Sequence, residues 1–264
     1  MSTALDKIIS YKRDEVAALK RERSEQDLLS VALGQAAPRG FANRLSAIAA
    51  TGDNALICEM KRKSPSAGKI LPGADPSEIA RQYETGGAAC LSVLTDGPSF
   101  GGSLEDFAAI KSAVALPMLR KDFMIDPIQV IEARAHGADA ILVIMSCTDD
   151  ALALALTETA IELGMDVLIE THDAVEIERA LTLPSALIGI NNRDLKIMKT
   201  DLATSERLSS LLPPECDFVS ESGISEPDDI QRLRKTGARR FLIGESLMKR
   251  SDRSAHVAAL RSAR

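Results

Sequence analysis

The pattern of apolar and polar positions changes character near residue 55. Before it, apolar residues recur at helical spacing. Leu5, Ile8, Ile9, Val16 and Leu19 form a loose stripe against Lys7, Lys12, Arg13, Asp14, Glu15 and Lys20. With Ser2-Thr3 as a capping start, this predicts a helix reaching to about Arg21. A second helix is expected over Glu25–Ala36 and a third from near Phe41. No strand pattern occurs in these first fifty or so residues, which reads as a helical extension docked on a later core, either a lid or a structural cap.

From Ala55 onward short apolar runs alternate with helical segments. The strand candidates are Leu56–Met60, Cys90–Leu94, Pro117–Leu119, Ala140–Met145, Asp166–Ile169, Leu187–Ile190, Asp217–Val219 and Arg240–Ile243. Helices are expected over Pro76–Thr85, Ser103–Ser112, Pro127–His136, Asp149–Leu163, Asp173–Leu181 and Glu226–Lys235, with a final one between Ser251 and Arg264. Several open on Asp or Pro and several end in Gly-Ala, as caps at the two ends require. Strands this apolar tolerate no solvent face, so a parallel sheet covered on both sides is predicted. Eight of them with crossover helices fit a (β/α)8 TIM barrel carrying an N-terminal helical extension. Residues 1–264 are thus read as a single domain, with 1–50 as the extension. A doubly wound open sheet is the alternative. It calls for a glycine-rich turn after the first strand, where Lys61-Arg62-Lys63-Ser64-Pro65-Ser66 stands instead.

Composition narrows the function. A net charge of -6 and a pI near 5.3 speak against non-specific nucleic-acid binding. No signal peptide or membrane-spanning run is apparent, so a cytoplasmic protein without membrane contact is expected. The four cysteines (Cys58, Cys90, Cys147, Cys216) lie far apart, mostly in apolar runs, and show no metal-ligand spacing with His136, His172 or His256. Reduced thiols and no metal are expected, with no catalytic part for the three histidines.

Chemistry gathers at the C-terminal ends of the predicted strands, where such barrels carry their sites. Glu59 and Lys61, two apart, share a strand face. Lys121, Glu170, Asn191 and Glu221 stand at later ends. Burying so many ionisable groups is costly unless they pair with one another or with a ligand. Ser222-Gly223 and Gly244-Glu245 follow the seventh and eighth strands, the place where barrel backbones present N–H groups to a phosphate.

These stretches together resemble the indole-3-glycerol phosphate synthase family. The likeness rests on Glu59-Met60-Lys61-Arg62-Lys63-Ser64-Pro65-Ser66, Leu94-Thr95-Asp96 with Phe100-Gly101-Gly102-Ser103, and Leu119-Arg120-Lys121-Asp122-Phe123. Ile169-Glu170, Gly189-Ile190-Asn191-Asn192-Arg193-Asp194-Leu195, Ser220-Glu221-Ser222-Gly223-Ile224 and Gly244-Glu245-Ser246-Leu247-Met248 continue it in order. The resemblance implies a carboxy-lyase of tryptophan biosynthesis that closes 1-(2-carboxyphenylamino)-1-deoxyribulose 5-phosphate to indole-3-glycerol phosphate, carbon dioxide and water. No metal or organic cofactor is implied. The one partner is the small phosphorylated substrate, and a monomer is the default expectation.

By the same resemblance Lys121 is the general acid at the C2′ oxygen, and Glu170 serves the later dehydration as base or acid. Lys61 holds the substrate carboxylate or shares the acid role, and Glu59 orients the lysines. Asn191 and Glu221 bind the reacting hydroxyl and amine region. Ser64, Ser222, Gly223, Gly244 and the Glu245 N–H receive the phosphate. Phe100, Phe123 and Leu195 shape the anthranilate slot, and Arg193 either clamps the ligand or braces Asn191. A free lysine is protonated at neutral pH and glutamates keep it so, which favours proton donation over a Schiff base. A Schiff-base aldolase and a non-catalytic phosphate binder on the same barrel are the rivals.

Overall fold

Apolar runs that cannot face water on either side become the staves of a barrel. The computed structural model describes residues 4–184, 187–194, 199–214 and 216–264. Its parallel strands are β1 (Ala55–Met60), β2 (Cys90–Leu94), β3 (Met118–Lys121) and β4 (Ala140–Ile144). They continue with β5 (Asp166–Thr171), β6 (Leu187–Asn191), β7 (Phe218–Glu221) and β8 (Arg240–Ile243). β1 pairs with both β2 and β8, so the sheet closes on itself as a (β/α)8 barrel.

Strand parity divides the core in two. Leu56, Cys58 and Met60 point outward into the large cluster beneath the helices, while Ala55 and Ile57 point inward. Later strands repeat this: Met118, Val167, Ile188 and Phe241 outward, against Leu119, Leu168, Leu187 and Leu242 inward. Following the inward column two residues at a time leads to Glu59, Lys121, Glu170 and Glu221. The lower barrel is thus filled by aliphatic side chains, and its upper layer is where charge is admitted.

Boundaries shifted in one instructive way. β3, β5, β6 and β7 run on through Lys121, Thr171, Asn191 and Glu221, residues expected just past the strands. The polar groups therefore ride on hydrogen-bonded strand backbone, which holds a site more firmly than a loop does. Helices Gly97–Phe100 and Ala203–Leu208 were not foreseen, being too short for a periodic pattern. The two halves of Lys63–Lys69 pair as a small antiparallel ribbon.

The N-terminal extension ties the two ends of the barrel together. Helix α1 (Ala4–Glu22) reaches the rim where β2 and β3 end: Tyr11 donates its hydroxyl to Asp96 at 2.7 Å, and Lys12 meets Asp122 at 2.8 Å. Helix α2 (Glu25–Leu33), shorter than expected because Gly34 caps it, packs Leu28 and Ala32 against Ile128, Ile131 and Ala135 of the helix Pro127–Ala135. Helix α3 (Phe41–Ala50) buries Phe41 and Leu45 against the first residues of the strands, and its Ala42 N–H donates to Asp166 at 2.9 Å. The extension thus grips the top of the barrel with α1 and plugs the bottom with α3. No described residue of it lines the cavity at the top.

Lys12 corrects an expectation. Placed on the polar side of α1, it lies four residues from both Ile8 and Val16 and shares their buried face, with 1% of its surface exposed. Among the described residues no helix is long and apolar enough to cross a membrane. Cys58 and Cys90 are buried, whereas Cys147 and Cys216 are partly exposed.

Candidate active site

A cavity of about 350 Å³ opens at the C-terminal end of the barrel. Its floor carries Glu59, Lys61, Lys121, Glu170, Asn191 and Glu221, brought together from β1, β3, β5, β6 and β7. Around them stand Ser64, Phe100, Phe123 and Arg193, with Ser222, Gly223, Gly244 and Glu245 on the side of the last two strands. Leu195 lies outside the described residues. Every other residue singled out from the sequence faces this one space.

Lys121 is the electrostatic centre. Its ammonium lies 3.1 Å from Glu170 Oε2 and 3.1 Å from Glu221 Oε2. Burial alone would drive the lysine toward neutrality, but Glu221, Glu170 and Glu59 outweigh it and raise its pKa above the ordinary value. The two carboxyl groups are split by their surroundings. Burial opposes ionisation of Glu170, yet Lys121 and His172 hold it well below the usual carboxylate range. Glu221 moves the other way: burial dominates, the attraction of Lys121 only partly offsets it, and the nearby charge of Glu170 adds to the rise, reaching about 8. One buried carboxylate and one buried carboxylic acid thus share a single ammonium, a division characteristic of acid–base sites.

Two glycines make room for these carboxyl groups. A Cβ on Gly189 would lie 2.3 Å from Glu221 Oε1, and one on Gly244 would lie 2.5 Å from Glu59 Oε1. Glu59 in turn holds Lys61 at 2.7 Å, the same-face pair expected from their spacing. The other Glu221 oxygen, Oε1, is buried without a hydrogen-bond partner among the described residues. An orphaned carboxyl oxygen beside a cavity is a place prepared for a polar group on a ligand.

The rim divides by chemistry. Phe100 and Phe123 face each other with ring centroids 6.1 Å apart and planes tilted by 36°, forming an apolar flank. Across the cavity, Ser222 and Gly223 follow β7 with φ of 67° and 82°. Such a conformation costs a non-glycine residue on the order of 1 kcal/mol, and strain of this kind collects at functional sites. Arg193 takes the second of the two parts left open for it, bracing Asn191. Its backbone N–H donates to Asn191 Oδ1 at 3.0 Å, while its guanidinium reaches Ser66 Oγ and lies 3.6 Å from Glu245. It therefore braces Asn191 and ties the ribbon after β1 to the start of the helix after β8.

His172, set aside from the sequence, touches Glu170. Its signal was local, a carboxylate two residues before it and another, Glu176, four after. Among the described residues no three His, Cys, Asp or Glu side chains converge in a manner that could hold a metal.

Comparison with known proteins agrees with this geometry. A family model for indole-3-glycerol phosphate synthase matches residues 5–260. The chain belongs to the indole-3-glycerol phosphate synthase family. The synthase of that name from Hyphomonas neptunium is 65% identical over 264 residues, covering 100% of both chains. The synthase from Rhodospirillum rubrum is 49% identical over 261 residues, covering 98% of this chain and 99% of its own. A thiamine phosphate pyrophosphorylase from Pyrococcus furiosus superposes with a TM-score of 0.59 at 15% identity, over 84% of this chain and 96% of its own, which is a likeness of fold.

Proposed function

We propose that this chain is the indole-3-glycerol phosphate synthase its family membership indicates, a carboxy-lyase of tryptophan biosynthesis. It closes 1-(2-carboxyphenylamino)-1-deoxyribulose 5-phosphate to indole-3-glycerol phosphate, releasing carbon dioxide and water. The observation that carries the mechanism is Lys121, held as an ammonium between an ionised Glu170 and a protonated Glu221 on the cavity floor.

The anthranilate ring lies along Phe100 and Phe123, with its carboxylate toward Lys61. The phosphate lies toward Ser64, Ser222, Gly223, Gly244 and the N–H of Glu245. The ring carbon bearing the carboxylate attacks C2′ while Lys121 donates a proton to the C2′ oxygen, a transfer worth about 10²–10⁴-fold in rate. Loss of carbon dioxide returns the bonding pair to the ring and restores its aromaticity. The C2′ hydroxyl, steadied by Asn191 and Glu221, then leaves as water after protonation, and Glu170 takes the proton from C1′. The two proton transfers need an acid and a base in different places, and the split carboxyl pair around Lys121 supplies that separation. A Schiff base at Lys121 would require a neutral amine, which the two carboxyl groups oppose.

The test uses the product's own light. The chain has no Trp and two Tyr, so indole emission appearing on mixing with the substrate reports turnover directly. The wild-type protein is expected to give a rising signal. Lys121→Ala is expected to lower the rate on the order of 10³-fold while still binding a substrate analogue. Absence of signal from folded wild-type protein, or a borohydride-trapped adduct on either lysine, would overturn this reading.

A further inference from the structure

Glu170 is held from behind as well as from the cavity. His172 follows it by two positions at the end of β5, so strand parity sends both side chains to one face. His172 Nε2 lies 3.2 Å from Glu170 Oε1, an ion-pair contact without hydrogen-bond alignment. On the other side of the ring, Nδ1 lies 3.0 Å from Glu176 Oε2, and that same oxygen accepts the His172 backbone N–H at 2.8 Å. Glu176 sits in the first turn of the helix Ala174–Ala180, where the backbone favours an anion.

A neutral imidazole has one N–H and one lone pair, and a lone pair aimed at a carboxylate repels it. Carboxylates at both nitrogens therefore demand two N–H groups. We propose that His172 is a positioning residue for the reaction, a standing imidazolium that aims Glu170 into the cavity and keeps it a base. The role rests on the assignment of Glu170 to the dehydration step. His172 exchanges no proton in that step. It fixes one carboxylate oxygen of Glu170 so that the other meets Lys121.

The charges around the ring agree. Glu170 comes from β5 itself and Glu176 from the following helix, while Lys121 of β3 and Glu221 of β7 act through Glu170. From the turn after β4 comes Cys147, kept a neutral thiol because burial pushes its pKa up to about 12. Burial also disfavours the imidazolium, but the two carboxylates prevail and push the His172 pKa up to about 10. Removing His172 leaves Glu170 with Lys121 alone of its two ion-pair partners.

Nitrogen NMR on histidine-labelled wild-type protein at pH 8 reads the proposal without turnover. The His172 ring, assigned by its loss in His172→Gln, is expected to carry protons on both nitrogens; a neutral ring overturns the role. Kinetically, His172→Gln is expected to raise the acidic limb of the kcat profile by at least one pH unit. At neutral pH kcat should fall about tenfold or more, with KM within about threefold. Glu176→Gln, outside the cavity, should move the limb the same way by less, and it decides the matter if His172→Gln fails to fold. An acidic limb unmoved in folded variants overturns the proposal. A neutral His172 beside full turnover sinks this role alone, whereas a wild-type protein without turnover sinks the assigned reaction and this role together.

Discussion

Two lysines stand among buried carboxylates at the end of β3, Lys12 fully buried against Asp122 and Lys121 partly exposed to the cavity. Lys12 lies 2.7 Å from Glu15, 3.1 Å from Asp96 and 2.8 Å from Asp122, so carboxylates surround its ammonium on three sides. Its acceptors are fully used. Asp96 also takes the Tyr11 hydroxyl and the Ser99 and Phe100 N–H groups, and Asp122 takes Thr95 and the Phe123 N–H. Lys121 has two carboxyl partners, and Glu221 keeps one buried oxygen unpaired. Both lysines have raised pKa values once their carboxylates outweigh burial. The difference teaches that a buried ion pair becomes a reactive site when its hydrogen bonding is left incomplete toward an open space. Where every lone pair is spoken for, the same ions are mortar.

The largest effects should be opposite for the two. Lys12→Met leaves Asp96 and Asp122 facing each other in the interior. It is expected to cost about 3 kcal/mol in urea unfolding while turnover stays within about tenfold. Lys121→Ala should show the reverse, a collapse of turnover with a far smaller stability loss. A Lys12→Met protein as stable as wild type would break the comparison. The pH dependence sharpens it. Asp122 is held below the usual carboxylate range by Lys12 and Arg120 against the effect of burial. Its stabilising contribution is present above that range and lost as pH falls. The gap between wild type and Lys12→Met should therefore narrow in acid.

The seat of Glu221 gives the next effect. Gly189→Ala would press a methyl group into its carboxyl, and kcat is expected to fall on the order of 10²-fold from misplacement alone. Measured by indole emission, a rate near wild type would show that Glu221 needs no fixed position. The charge of Glu221 can be read separately. Its folded pKa is raised, so the folded state holds an extra proton and stability declines as pH rises from the ordinary carboxylate range to about 8. Glu221→Gln removes that decline. Relative to wild type it should gain on the order of 1 kcal/mol between pH 5 and 8.5 in thermal or urea unfolding. The smallest effect belongs to the mortar. Tyr11→Phe loses hydrogen bonds to Asp96 and Ser99 and should cost about 1 kcal/mol with little change in kcat.

Much of this was readable in advance because parity is a local property. Glu59 and Lys61 announce a shared face by their spacing. Lys121, Glu170, Asn191 and Glu221 each end an apolar run whose direction is set by its neighbours. Lys12 was hidden for the opposite reason. A lysine on a helical stripe reads as solvated until its partners are known, and Asp96 and Asp122 come from distant strand ends. His172 lay between, with both carboxylates close in sequence, yet pairing it with them needed the strand-to-helix junction at residue 173 to be placed within one residue. The extension's route was equally non-local, since Arg39–Asp139 and Ala42–Asp166 join residues about a hundred or more apart.

That route has a consequence for how the molecule is born. The residues of the extension are synthesised before the barrel, but the groups they bind arrive late: Asp122 for Lys12, Asp139 for Arg39, Asp166 for Ala42. At roughly 5–20 residues per second, the ribosome needs on the order of ten seconds to deliver them. For that interval the apolar faces around Ile8, Phe41 and Leu45 have no barrel to cover. Nor can β1 find its second neighbour until Arg240–Ile243 has emerged. The nascent chain thus carries a folded-over clasp whose catch is the last thing made, and its exposure to chaperones and proteases is timed by the length of the message between them.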